Sequence, residues 1–354
     1  MRRTATVLAC ALLLLGSACS SASENATGPR EPMEIQDGIT FTSGWWSEAF
    51  RGPDAVEAMT NLADTGAGWV AIVINWFQGR IAATDVRPLE NKTPSDADVV
   101  AMIRLAHELG LKVMLKPHVD LVRKWWNKWK IGTTWADDPD ARDAWFASYE
   151  AFVYHYAEIA EAEGVEQFAV GTELAGTTGQ TEYWREVVQG VRDRFSGTLT
   201  YASLFTGEES AIRWWDAVDL IGVDAYWTMT DEDDPTLEEL KDAWTPVLQQ
   251  MADLSERWDG KPVLFTEIGY RSLDGGNQNL WAPWMLDHPI DLGEQADCYL
   301  AAFESAWDEP WFAGMYWWDW SANPDVGGST DGGFSPFGKP AEGVLRSWYS
   351  TVTR

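Results

Sequence analysis

Residues 68–76 read GWVAIVINW, residues 95–109 read SDADVVAMIRLAHEL, and residues 111–118 read LKVMLKPH. The outer two runs are short and almost continuously apolar, as strands covered on both faces of a parallel sheet must be. The middle run is longer, begins with acids and is closed by Gly110, as a helix end is. Strand, helix, strand is one βα unit, and the unit recurs along the chain. Working outward, the strand candidates are 40–46 (TFTSGWW), 68–76, 111–118, 166–173 (EQFAVGTE), 198–204 (TLTYASL), 219–226 (DLIGVDAY), 262–268 (PVLFTEI) and 314–320 (GMYWWDW). Helical stretches are expected at 53–65, 95–109, 139–163, 181–195, 208–216, 236–257, 293–307 and 340–350, two of them opened by Pro53-Asp54 and Pro139-Asp140. Eight strands alternating with eight helices predict a single (β/α)8 TIM barrel over residues 38–354. An open doubly wound sheet is disfavoured, because no Gly-rich phosphate loop follows the first strand.

Composition agrees with a globular domain and narrows its partners. The 354 residues are 45% apolar and 13% aromatic, enough to bury a large core. Lys and Arg number 26 against 55 Asp and Glu, a formal charge of -29. Nucleic acid and anionic membrane surfaces need a basic face, so both are excluded as partners. The 23 Trp suit stacking on neutral sugar faces as well as core filling. A monomer with no cofactor is expected.

The N-terminus carries an address. Arg2 and Arg3 precede an apolar run from Val7 to Leu15, too short to span a bilayer and shaped like a secretory signal. It ends in Leu15-Gly16-Ser17-Ala18-Cys19, which resembles the lipobox of bacterial lipoproteins with Leu one place early. Residues 1–18 therefore read as a signal peptide, and Cys19 as the lipidated N-terminus of an exported, surface-anchored or secreted protein. Residues 19–37, polar and unpatterned, read as a flexible linker. With Cys10 lost in the signal and Cys19 lipidated, Cys298 alone remains for disulfide chemistry, so no internal disulfide is expected.

In a TIM barrel the chemistry sits at the C-terminal ends of the strands. Those positions are polar here: Trp45 and Trp46; Asn75 and Trp76; His118 and Asp120; Glu173; Asp224 and Tyr226; Glu267; and Trp318, Asp319 and Trp320. Glu173 and Glu267 each end an otherwise apolar strand, the fourth and the seventh. A carboxylate there must be paired or used, and Lys116 or Arg271 are the cations at hand for a structural ion pair. Two such acids facing one another across a barrel mouth can flank a single bond, with one protonated and one ionised. That division of labour is glycoside chemistry. Metal ligation is not supported, since His107, His118, His155 and His288 have no ligand spacing and DEDD at 231–234 lacks the calcium-loop pattern.

These residues carry a family resemblance. Acids ending strands four and seven, a Tyr ending strand six and a Trp on strand eight resemble clan A of the glycoside hydrolases. The segments VGTEL, LTYASL, WWDAVDLIGVDAYW, KPVLFTEIGYRS and YWWDW resemble glycoside hydrolase family 113, whose characterised members are chiefly β-mannanases. The resemblance covers roughly residues 40–350. It implies Glu173 as general acid/base, Glu267 as nucleophile, Tyr226 as hydrogen-bond donor to the nucleophile and Trp318 as the floor beneath the sugar. It also implies a retaining mechanism, with carboxyls about 5 to 5.5 Å apart. One position departs: many clan A enzymes have Asn before the acid/base, where this chain has Thr172. Further substrate contacts are expected from His118, Asn75 and Lys116, and from Trp76 and Trp227 as stacking surfaces. The WWNKW run at 125–129 is placed in the loop after strand three, as a cleft wall. The expected activity is an endo-β-1,4-mannanase; a β-glycosidase on glucan or xylan, or a non-catalytic carbohydrate-binding lipoprotein, are the competing readings.

Overall fold

The computed structural model describes residues 34–352 apart from 124, 136 and 279–286. The proposed signal, Cys19 and residues 19–33 of the linker lie outside the described residues. From Glu34 onward the chain forms one compact unit.

Eight parallel strands close into a barrel: β1 (Gln36–Thr42), β2 (Trp69–Gln78), β4 (Lys112–Leu121), β5 (Gln167–Thr172), β6 (Thr198–Leu204), β7 (Leu220–Ala225), β8 (Val263–Ile268) and β9 (Phe312–Ser321). Pairing of β1 with both β2 and β9 completes the ring. A two-residue strand, β3 (Val86–Arg87), runs antiparallel to the end of β2 and has no counterpart in the sequence reading. Helices α1 (Gly52–Ala63), α2 (Asp96–Glu108), α3 (Pro139–Ala162), α4 (Thr181–Arg192), α5 (Glu208–Ala211), α6 (Leu237–Arg257), α7 (Leu292–Ala306) and α8 (Pro340–Tyr349) surround it. Their starts follow the expected capping chemistry. Ser95 and Asp98 close a capping box on α2, Thr236 and Glu239 do so on α6, and Pro139 opens α3 behind the Asp138 cap.

The first strand corrects the sequence reading. It spans Gln36–Thr42, so Gln36 and Asp37 belong to the barrel, and Ser43 to Trp46 turn away from it with Trp45 at φ 63. A polar layer at the base explains the early start: Gln36 Nε2 donates to Gln167 Oε1 at 2.7 Å, and Tyr316 OH donates to Gln36 Oε1 at 2.7 Å. Above it an apolar layer of Trp69, Ala71, Met114, Leu220, Leu264, Ala313 and Tyr316 fills the interior.

Most of the tryptophan serves packing between strands and helices. Trp145, Trp184, Trp214, Trp215, Trp244, Trp317 and Trp320 are all buried, with Trp184 stacked on Trp214 at 5.1 Å and Trp320 against Phe337. Of the two uses that the abundance suits, sugar stacking and core filling, the second therefore takes the larger part.

Three strands that carry or lead into candidate site residues depart from regular pairing near the mouth. β5 carries an extra residue against β6 between Ala169 and Thr172. β8 carries one against β7, where Val223 pairs with Phe265 but Asp224 with Glu267. β9 carries one against β1 between Trp317 and Trp320, where the Trp318-Asp319 peptide is cis. Bulges of this kind re-aim side chains. In β8 the result is that Thr266 and Glu267, although adjacent, both reach the groups inside the mouth.

Candidate active site

On β4 the alternation of side chains puts Lys116, His118 and Asp120 on the interior face, and all three are buried. Lys116 Nζ donates to Glu267 Oε1 at 2.5 Å, to Asp224 Oδ1 at 3.1 Å and to the Thr266 carbonyl at 3.2 Å. Tyr226, immediately after β7, donates its hydroxyl to Glu267 Oε2 at 2.7 Å. Both oxygens of Glu267 are thus held, each by a different donor. Burial first, then the charges of Glu267 and Asp224, push the Tyr226 phenol well above its usual range, so it stays a donor. Asp224 is raised too, by burial and by Glu267, against the pull of Lys116; Thr266 Oγ1 donates to its Oδ1 at 2.7 Å.

Glu173 follows β5 directly and sits in a different environment. Its side chain is 17% exposed against 7% for Glu267, and its ion-pair partner is Lys128, with Nζ 2.9 Å from Oε2. Lys128 comes from a 3₁₀ turn (Trp125–Lys130) in the loop after β4. Burial alone would lower its ammonium, but Glu173, Asp120 and Glu267 outweigh this and hold it charged above the usual lysine range. One cation therefore feels both glutamates. The surroundings of the two carboxyls differ: one is bonded through both oxygens and enclosed, the other is more open with a single ionic partner.

Around them, Asp120 Oδ2 accepts from Asn75 Nδ2 and from Trp45 Nε1, both at 2.7 Å. His118 Nε2 is buried without a hydrogen-bond partner, 3.7 Å from Glu267 Oε1. Burial, and then Lys128 and Lys116, push its pKa well below the usual imidazole value, so the ring is neutral. Its plane lies nearly parallel to that of Trp318, with centroids 6.3 Å apart. Asp319, next to Trp318, accepts from Thr42 Oγ1 at 2.8 Å and is pushed up to about 6, by burial foremost. Thr172 Oγ1 donates to the Pro117 carbonyl at 3.4 Å, toward the barrel wall.

The structure thus gathers Lys116, His118, Tyr226 and Lys128 around the two glutamates, with Asn75 joined through Asp120 and Trp318 stacked on His118. It does not bring Trp76 and Trp227 to them. Strand alternation turns Trp76 outward onto α3, where it stacks on Phe152 at 4.9 Å and donates to Tyr156 OH. There it lines a separate groove of about 710 Å³ with Leu89, Pro94 and His155. Trp227 packs edge-on against Phe205, Trp244 and Phe265. Arg271, weighed as a neutralising cation, lies over the Phe334 ring instead. The glycine-rich 325–334 segment is cross-braced: Gly327 N and Gly328 N bond to Asp331 and Phe337, and Lys339 Nζ reaches Ser272, Asp331 and Gly333.

Lys128 is the residue that sequence reasoning missed. The WWNKW run drew attention as an aromatic wall, and a lysine amid tryptophans gives no sign of its ion pair. Within the run, Trp129 is exposed. Among the described residues no group of three or more His, Cys, Asp or Glu could hold a metal ion.

Comparison with known proteins agrees with the fold. The model of Glycoside Hydrolase Family 113 matches residues 39–339. A solved complex of a family 113 β-1,4-mannanase superposes with TM-score 0.81 at 29% identity, covering 90% of this chain and 100% of that one. The family 113 β-mannanase AaManA from Alicyclobacillus acidocaldarius, in complex with ManMIm, gives TM-score 0.78 at 31% identity over 91% and 99%. The β-glucuronidase of Ruminococcus gnavus shares only the fold, at TM-score 0.58 and 14% identity over 89% of this chain and 50% of that one. No functionally curated protein matches the chain in sequence. With a match over most of its length, the chain belongs to glycoside hydrolase family 113 and is a glycoside hydrolase with a closed (β/α)8 barrel.

Proposed function

We propose that the protein hydrolyses β-1,4-mannan internally by double displacement, with Glu267 as nucleophile and Glu173 as general acid/base. The observation that carries this reading is the contrast between the two carboxyls. Glu267 is fixed through both oxygens by Lys116 and Tyr226, as a nucleophile that must present one lone pair to an anomeric carbon requires. Glu173 is more open and has one ionic partner to exchange for a glycosidic oxygen. Retention of anomeric configuration is general for this family, and the two similar solved proteins are mannanases.

In the first step Glu267 attacks the anomeric carbon while Glu173 gives its proton to the leaving oxygen, forming a covalent glycosyl-enzyme. In the second, ionised Glu173 takes a proton from water, which attacks the same carbon and frees Glu267. Neutral His118 borders Glu267, and Trp318 beside it offers a ring face to the sugar. The Thr172 hydroxyl is spent on the barrel wall, so the sugar 2-hydroxyl is held by another donor.

Incubation with β-mannan, glucomannan, xylan and cellulose, followed by a reducing-sugar assay, tests the substrate. Release from the two mannose-containing polymers is expected. Release from xylan or cellulose alone would reassign the sugar, and tight binding without release from any polymer would make the protein a binder. The N-terminal reading leads us to infer export and lipidation at Cys19, which is supported when Cys19→Ser moves the protein from the membrane fraction to the medium.

A further inference from the structure

The chain just past β5 is held in an unfavourable conformation. Glu173 has φ 54, in the left-handed region that residues with a side chain rarely adopt. Such a backbone persists only where its surroundings over-determine it. The bulge after Ala169 takes Val170 and Gly171 out of the regular ladder with β6, so other groups must supply the restraint. Val170 O accepts from Tyr149 OH at 2.6 Å, and Glu173 N donates to Ala202 O at 2.8 Å. Leu174 N, the next amide along, donates to the hydroxyl of Tyr201 at 2.8 Å.

That last bond depends on another residue. Tyr201 is fully buried, and its ring lies so close to Gly171 that a Cβ there would come within 2.9 Å of it. A phenol has one proton, and here it is given to Glu208 Oε1 at 2.6 Å. With the proton so directed, the oxygen lone pairs are free to accept from Leu174. The second oxygen of Glu208 accepts from Leu204 N at 2.8 Å, tying the helix α5 carboxyl to the end of β6. Glu208 is itself buried, and nothing in the proposed chemistry uses it. Burial foremost pushes it up to about 8, and the charge of Glu173 contributes in the same direction, so the two carboxyls sense one another.

We propose that Glu208 is a positioning residue for proton transfer: through Tyr201 it fixes the Leu174 amide and so the left-handed turn that aims the Glu173 carboxyl into the mouth. This rests on the reading of Glu173 as the acid/base. A misaimed acid matters only where the leaving group needs a proton. The test is therefore kcat/KM for aryl β-mannosides or mannooligosides whose leaving groups run from 2,4-dinitrophenol to 4-methylphenol. General-acid assistance is worth about 10²–10⁴-fold. Tyr201→Phe and Glu208→Leu are expected to lose about 10- to 100-fold on the poorest leaving group and less than about 3-fold on the best. Glu208→Gln keeps an oxygen for the tyrosine proton and is expected to keep the wild-type leaving-group dependence.

Equal losses across all leaving groups would overturn the proposal, since a merely structural role moves every substrate alike. Should Glu208→Leu fail to fold, Tyr201→Phe removes a single oxygen and decides alone. Glu173→Ala separates the two claims. If it shows the split and the Tyr201 and Glu208 variants do not, the positioning role falls while the acid/base stands; if Glu173→Ala shows none, the acid/base assignment falls first.

Discussion

Lys116 and Glu267 form a buried ion pair across the barrel interior, with Nζ 2.5 Å from Oε1 and the lysine side chain fully enclosed. The same ammonium bonds Asp224, so one cation stands between two acids. Removing one member of a buried pair typically costs about 3–5 kcal/mol, because the other charge is left uncompensated. Lys116→Met is expected to lose stability of that order in urea denaturation and to lose turnover with it. A loss below about 1 kcal/mol would mean that the acids do not depend on this lysine.

Tyr226→Phe removes a single hydrogen bond to the other oxygen of Glu267. Bonds to charged groups are worth about 1.5–3 kcal/mol, so kcat should fall roughly 10- to 100-fold. The loss of stability should not exceed the worth of that bond, because the ring stays packed beside Phe334. An unchanged kcat would show that the nucleophile is not oriented from this side.

Lys128 Nζ lies 2.9 Å from Glu173 Oε2, and its ammonium also feels Asp120 and Glu267. Lys128→Met leaves the Glu173 carboxyl without its ionic partner and is expected to lower kcat/KM. An unchanged kcat/KM would show that turnover does not depend on this contact.

Glu208 gives a pH signature in stability. Its folded-state value of about 8 lies above the ordinary 4.5, so the native state holds a proton that the unfolded chain has released between those values. Stability from this group is present below about pH 4.5 and is lost as pH rises toward 8, with a slope of at most about 1.4 kcal/mol per pH unit. Glu208→Gln should flatten that decline. Parallel wild-type and variant stability curves across this window would refute it.

Much of the architecture is legible in the sequence, because strands buried on both faces must be continuously apolar and the helices between them must be amphipathic. Pro53, Pro139 and Gly110 mark helix ends by local chemistry. The two glutamates stand out for a related reason: a charge ending the apolar runs AVGT and VLFT has no local explanation. What local pattern cannot carry is long-range pairing. The pairing of Gln36 with Gln167 that draws the first strand back to residue 36 joins distant segments. So does the reach of Lys128 from a tryptophan-rich turn to Glu173. The bulges hide in the same way, since side-chain parity along β8 alone would not bring both Thr266 and Glu267 to the mouth. Trp76 turns away from the glutamates because one position of alternation separates the face of Asn75 from the face that meets α3.

The central claim is that Glu267 becomes covalently bonded to sugar. A 2-deoxy-2-fluoro-mannooligosyl fluoride, which slows release of such an intermediate, followed by proteolysis and mass spectrometry, tests it directly. The account predicts one glycosyl adduct, on Glu267 within the KPVLFTEIGY segment, absent from Glu267→Gln. An adduct on Glu173, or rapid turnover of wild-type enzyme to an inverted product with no adduct at any residue, would contradict it.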